Sequence, residues 1–325
     1  MTPINMNDKE KYLILAEKET AILLYNQPWW LDATCEENGW DVFTVLSDGK
    51  IIAAMPYQVR HLFGFKISSN ILFTKNPGIW IKFPENQKYV TRLRYEKEII
   101  EKIILQIDQL KLHYFKQNMQ YEFTNWMPFY WNKFKQTTGY SYVFDNLGNL
   151  DEVFRNFDTK IKTDIRKAEK KLTIKDDLTI EDFIKINRKT FERQGRKMPY
   201  AAKTLINIDR ACHARGQRKI LYGKDENNNI HAAIYLVWDN QTVYYLLSGG
   251  DPNFRNSGAN ALLLWNAICF AAKEGKKFDF EGSMMPAVET FVRAFGAQQK
   301  QFHEISKIYS PFLRFFVSLK YIIKN

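Results

Sequence analysis

Residues 242–282 read TVYYLLSGGDPNFRNSGANALLLWNAICFAAKEGKKFDFEG. Val243 to Leu247 is rich in β-formers and ends in Ser248-Gly249-Gly250. A loop with Arg255 and Gly258 follows, then an apolar helical run from Ala259 to Ala272 closed by Gly275. Lys277 to Phe280 reads as a second strand. Strand, glycine-bearing loop, helix and strand together make a βαβ unit. Backbone N–H groups at such a helix start can cradle a phosphate.

Upstream of this unit the pattern predicts strands at Lys219–Gly223 and Ile230–Trp238, preceded by helices over Leu178–Gln194 and Ala201–Arg215. Before them comes a strongly basic helix, FRNFDTKIKTDIRKAEKKL, from Phe154 to Leu172. Downstream, Pro286–Phe295 reads as a short helix and Phe302–Ile308 as a final strand. The turn-rich run Asp145–Asn149 suits a hinge and divides the chain into 1–145, 146–310 and a tail, 311–325.

The first part reads as a helix over residues 9–26, a second from Trp29 to about Gly39, and a hairpin of Val42–Leu46 and Ile51–Val59. Strands are expected at Ile67–Phe73, Ile79–Ile81, Tyr121–Thr124 and Tyr140–Phe144, with a long amphipathic helix over Val90–Phe115. Both halves run helix, helix, strand, turn, strand, with Ile51-Ile52-Ala53-Ala54 answering Ile230-His231-Ala232-Ala233. That order argues for a duplicated α/β domain.

The chain of 325 residues is long enough for two cores, and its composition, 45% apolar and 26% charged, is that of a globular protein. The net charge of +11 favours an anionic partner: nucleic acid, a phosphate-bearing substrate or an anionic membrane surface. Three scattered cysteines fit reduced thiols in a cytoplasm, and five histidines without HxH or HxxxH spacing give no reason to expect a metal. Neither a signal peptide nor an apolar run of about 20 residues is evident.

Arg255-Asn256-Ser257-Gly258-Ala259 has the Arg-x-x-Gly-x spacing of the acyl-CoA pyrophosphate loop of GNAT acyltransferases. Residues 243–297, together with DIRKAEKKL, FERQ and the N-terminal NQPWWLDA, resemble the Fem-like group of N-acyltransferases. That resemblance implies mixed α/β sheets flanked by helices in two tandem GNAT-like domains. It also implies transfer of an acyl or aminoacyl group to an amine of a cell-envelope precursor or amino sugar, since Fem enzymes extend peptidoglycan cross-bridges. The co-substrate is then acyl-CoA or aminoacyl-tRNA, and tRNA becomes a candidate partner. Where the loop usually has a sixth small residue this chain has Asn260, so both donors stay open.

N-acyl transfer needs a base for the attacking amine, a donor for the oxyanion and an acid for the leaving group. Glu281 lies at the C-terminal end of the second βαβ strand, where open α/β sheets place their sites, and is the first candidate base. Its rival role is a surface ion pair. Alternation in Phe278-Asp279-Phe280-Glu281 puts both carboxylates on one strand face. Tyr245 and Ser283 complete the catalytic candidates; Tyr244 faces away from Tyr245, and Ser283 also suits a helix cap. Ser248, Gly249 and Gly250 supply N–H groups to polarise a carbonyl. Arg255, Ser257, Gly258 and Ala259 form the phosphate loop.

Lys160, Arg166 and Lys170 of the basic helix are either a solvated face or a contact for a phosphate-bearing substrate. Arg293 lies four residues after Glu289, which suits a helical ion pair and equally a clamp on an anion. His231 reads as a packed histidine. The tail 311–325 gathers Phe312, Phe315, Phe316 and Leu319 on one helical face. It can dock on the first domain or lie peripherally on the inner face of a membrane. A catalytically inactive GNAT-like binding module and a nucleic-acid-binding protein are the alternative classes; charge alone supports the latter.

Overall fold

The computed structural model describes residues 6–35 and 39–315. The elements run α1 (Asp8–Lys18), α2 (Pro28–Thr34), β1 (Asp41–Ser47), β2 (Lys50–Tyr57), β3 (Val59–Leu62), β4 (Phe65–Ser68) and β5 (Trp80–Ile81). Then follow α3 (Tyr89–Gln109), β6 (Tyr114–Asn118), α4 (Met127–Trp131), β7 (Lys135–Phe144), α5 (Leu150–Arg155), α6 (Thr159–Glu169) and β8 (Thr173–Lys175). The remainder is α7 (Ile180–Glu192), α8 (Ala202–His213), β9 (Arg218–Lys224), β10 (Ile230–Trp238), β11 (Thr242–Gly250), α9 (Ala259–Lys273), β12 (Lys277–Asp279), α10 (Pro286–Arg293) and β13 (Gln298–Ile308).

Two compact units divide the chain. One runs to Gly139 and resumes at Gln301; the other is Tyr140–Lys300. In the first, β1, β2 and β5 form one antiparallel sheet, and β3, β4, β6 and β13 lie in order in another. The amphipathic stripe of α3 buries Ile99, Ile100, Ile103, Ile104 and Ile107 against Phe43, Met55 and Phe115.

In the second unit the strand order is β7-β12-β11-β10-β9-β8. Helix α9, apolar all round, buries Leu262, Leu263, Leu264 and Ile268 between this sheet and α6. Ile161, Ile165 and Ala168 are the buried stripe of α6. The hydrophobic pattern therefore places the basic residues of α6 on its outer side.

Several local expectations change. The first helix stops at Lys18, and Leu24–Asn26 is a separate 3-10 turn tied back by Tyr12 Oη to the Asn26 carbonyl at 2.6 Å. Residues expected as a strand at Tyr121–Thr124 fold into turns closed by Phe123 N to Gln120 O and Trp126 N to Thr124 O. The basic helix breaks at Asn156–Asp158, because Asp158 caps α6 by accepting from Lys160 N. Strand β8 was hidden in the polar run after it. Of the tail, residues 311–315 are helical and 316–325 lie outside the described residues.

Candidate active site

Strand β11 pairs in parallel with β12 over three residues only, Thr242–Tyr244 opposite Lys277–Asp279. On its other side it stays paired with β10 as far as Ala232 opposite Gly250. Between Tyr245 and Leu247 the register slips, leaving Leu246 as an extra residue, so the strand bends there. Two parallel strands that part at their C-terminal ends make a crevice, and open α/β sheets bind ligands in such crevices.

Helix α7 fixes the bent end of β11. Asn187 Nδ2 donates to the Ser248 carbonyl at 2.6 Å, and Gly250 N donates to Thr190 Oγ1 at 3.1 Å. A side chain at Gly249 would stand 2.5 Å from Asn187 N, so glycine is what lets helix and strand meet. Tyr200 Oη donates to Asn187 Oδ1 at 2.7 Å, and Lys189 reaches Asp251 at 2.6 Å. Ser248–Gly250 thus belong to the strand rather than to a free loop, and the Gly250 N–H is already used by Thr190. Asn187, Thr190 and Tyr200 were not singled out from the sequence; their partners lie 13 to 61 residues away.

The loop after β11 is tied down at several points. Asp251 caps the 3-10 turn Pro252–Phe254 by accepting from Asn253 N, and His231 stacks on Phe254 at 3.9 Å and 5°. His231 Nε2 lies 3.2 Å from Asp225 Oδ2, consistent with a packed role. Arg255 is exposed, while Ser257 Oγ accepts from Ala259 N at 3.3 Å at the start of α9. Gly258 has φ +81°, and a side chain there would meet Asp164 O at 2.2 Å. Its first duty is the approach of α9 to α6. Lys167, which the sequence placed among the basic residues, donates to Asn256 O at 2.8 Å and so reaches this loop.

At the other lip of the crevice β12 ends at Asp279, which is buried. Its Oδ1 accepts from Ser141 Oγ at 2.6 Å and from Glu281 N at 2.8 Å. Glu281 itself has φ +61°, and Gly282 has φ +53° with no room for a side chain beside Tyr140 O. Asp279 and Glu281 therefore do not share a strand face. The first closes a turn, and the second is a half-buried carboxylate on left-handed backbone, an uncommon state for glutamate that clusters at functional sites.

Tyr245, one residue past the last β11–β12 pair, is half-buried and lies within hydrogen-bonding reach of Ser248. Burial pushes its phenol up to about 12, so it is a proton donor at neutral pH. Tyr244, buried with its hydroxyl on Asp239 at 3.0 Å, is raised further by burial and by neighbouring carboxylates. Ser283 Oγ accepts from Met285 N at 3.1 Å. Arg293 pairs with Glu289 at 2.9 Å, and Glu289 also accepts from Tyr142 Oη, the contact that does most to lower its pKa. Arg293 is thus held in an ion pair on α10. Lys160 pairs with Asp164 at 3.3 Å, Arg166 lies 6.0 Å from the Phe154 ring, and Lys170 is exposed at the end of α6.

Burial raises the thiols of Cys35 and Cys269 to about 11 and that of Cys212 to about 12, so none is a ready nucleophile. Among the described residues no group of three His, Cys, Asp or Glu could hold a metal ion. No helix among them is long and apolar enough to cross a membrane.

A parted parallel strand pair with a helix start and a carboxylate at its mouth is a site of the kind open α/β sheets use to bind ligands. Residues 155–293 match the model of the Acetyltransferase (GNAT) domain. Over the whole chain the fold is similar to that of FemX, with a TM-score of 0.68 and 13% identity, covering 92% of this chain and 96% of that one. It is also similar to L-PGS from Bacillus licheniformis (TM-score 0.54, 10% identity, 91% of each chain). A tandem GNAT protein from the clavulanic acid biosynthesis pathway gives 0.52 at 8% identity over 94% of this chain and 97% of that one. No curated protein matches the sequence. Residues 155–293 thus match a GNAT acetyltransferase domain, and the fold of the whole chain is similar to those of FemX and a tandem GNAT protein.

Proposed function

We propose that the protein transfers an acyl or aminoacyl group to an amine of a cell-envelope precursor or amino sugar, without a covalent enzyme intermediate. The observation that carries this reading is the parting of β11 from β12 beyond Tyr244 and Asp279, with Tyr245 and Glu281 following on either side. Glu281, half-buried on strained backbone, takes the proton as the amine nitrogen bonds to the donor carbonyl carbon. The bond from that carbon to the leaving sulfur or oxygen breaks, and the Tyr245 phenol supplies the leaving group with a proton. The high thiol pKa values favour direct attack over a cysteine relay.

Acyl-CoA and aminoacyl-tRNA both carry phosphate, and the start of α9 suits it: Ser257 and Ala259 shape the turn and Arg255 is exposed beside it. Lys160, Arg166 and Lys170 extend a basic face on α6 toward solvent, fit for the phosphates of a longer donor or acceptor. Arg293 would have to leave Glu289 to serve an anion. The Fem-like resemblance supports the cell-envelope acceptor.

Thermal-shift measurements with acetyl-CoA, longer acyl-CoAs and aminoacyl-tRNA test the reading, followed by turnover with amine acceptors. Stabilisation by one donor class and acyl transfer from it are expected. A chain that binds neither class is a binding module rather than an enzyme.

A further inference from the structure

The β3–β4 hairpin carries a side chain that its turn does not want. Leu62 pairs with Phe65, so Phe63-Gly64 is a two-residue turn, and both residues have positive φ, +51° and +80°. Turns of this kind favour Asn-Gly or Asp-Gly, because a bulky residue at positive φ is strained. The β1–β2 hairpin of the same unit follows the rule with Asp48-Gly49, at +49° and +74°. Phe63 breaks it, and its ring is 91% exposed, so folding gains nothing from it. Leu62 beside it is 52% exposed. Across the pair from Leu62, Phe65 stacks on Phe312 at 6.2 Å, which continues the apolar surface to Phe312 and Phe315, 59% and 62% exposed.

Charge tells what this surface meets. From Gly49 to Pro84 there is no acidic residue, while Arg60 and Lys66 flank the turn; from Ile305 to Asn325 there is again none, while Arg314 stands between the two phenylalanines. Arg60 and His61 are exposed next to Leu62. Asp108, the carboxylate near the root of this surface, is held by Lys307 at 3.3 Å and by Tyr309 Oη at 2.6 Å. An apolar tip ringed by cations and shielded from acids suits a surface with hydrocarbon beneath and negative charge above.

We infer that the β3–β4 hairpin tip, Leu62 and Phe63, inserts into the interface of an anionic phospholipid bilayer, with Phe312 and Phe315 beside it. This inference does not depend on the acyl-transfer reading. The test is flotation of the full chain with vesicles of equal parts phosphatidylglycerol and phosphatidylcholine, and with phosphatidylcholine alone. The parent is expected to float with the anionic vesicles and to be released by salt. Phe63→Asn installs the residue the turn favours, so its melting temperature should hold or rise while vesicle partitioning falls about tenfold. Phe63→Trp should retain binding and shift its fluorescence to the blue on adding anionic vesicles. A parent that never floats, a Phe63→Asn variant that floats as well as the parent, or one that alters sedimentation without altering flotation overturns the proposal.

Discussion

Asn187 holds Ser248: its amide nitrogen lies 2.6 Å from the Ser248 carbonyl oxygen, and its amide oxygen receives the Tyr200 hydroxyl at 2.7 Å. Asn187 is 2% exposed, so its own amide relies on these two half-buried partners. Asn187→Ala should cost roughly 1–3 kcal/mol by removing two part-buried hydrogen bonds at once. Urea unfolding measures that, and turnover should fall further than the lost folded fraction accounts for, since the bend of β11 is released.

If Glu281 is the proposed base, its strained backbone lets chemistry and folding be tested separately. Glu281→Gln should lower turnover by about 100-fold or more, as loss of a general base does, with a nearly unchanged melting temperature. Glu281→Gly should be as inactive and gain up to about 1 kcal/mol, since glycine adopts φ +61° freely. Near-normal turnover in either variant removes Glu281 from the base role.

Gly258 illustrates the opposite case. A methyl group there meets Asp164 O at 2.2 Å on backbone at φ +81°, so Gly258→Ala should destabilise by about 2 kcal/mol or more with no ligand present. Calorimetry of the ligand-free protein checks it. An unchanged melting temperature with lost donor binding would instead mark this glycine as purely a phosphate contact.

The basic face of α6 is a salt experiment. If it meets phosphate, Arg166→Ala with Lys170→Ala should weaken the phosphate-bearing ligand and flatten the dependence of affinity on salt. Titrations across a range of ionic strength read both. Equal affinity and equal slope would leave these residues as a solvated surface.

Alkaline pH should unfold the protein through its tyrosines. Tyr200, Tyr222 and Tyr245 are each raised to about 12, chiefly by burial. A raised folded pKa means the contribution is whole below the unfolded value of about 10 and is lost as pH climbs toward about 12. Denaturant midpoints should therefore hold to about pH 10 and then fall, in step with tyrosinate absorbance. Tyr245→Phe should soften that fall and, if the phenol is the proposed proton donor, slow turnover at neutral pH.

The βαβ unit was legible because its signals are local: β-formers, two glycines, an apolar run and Gly275 in succession. Long helices such as α3 announce themselves by the spacing of their isoleucines. What escaped depended on distant partners. Asp279 is fixed by Ser141, 138 residues earlier, and Ser248 by Asn187, 61 residues earlier. The run Phe278-Asp279-Phe280-Glu281 alternates like a strand, yet the Asp279 carboxylate captures Glu281 N and turns the chain out of the sheet. Packing on α6 requires glycine at position 258 whether or not the loop also meets a phosphate, a constraint that spacing alone does not reveal. The break at Asn156–Asp158 was masked by basic residues on both sides.

The interleaving of the two units has a consequence for biosynthesis. Residues 140–300 are contiguous, so this unit has all its strands as soon as they leave the ribosome. The other must wait: β6 takes β13 as a neighbour through Glu304 to Ile308, and Ile305 is wholly buried. Until those residues emerge, the nascent chain carries Phe115 and the α3 stripe without their last cover. The unit begun first is completed last.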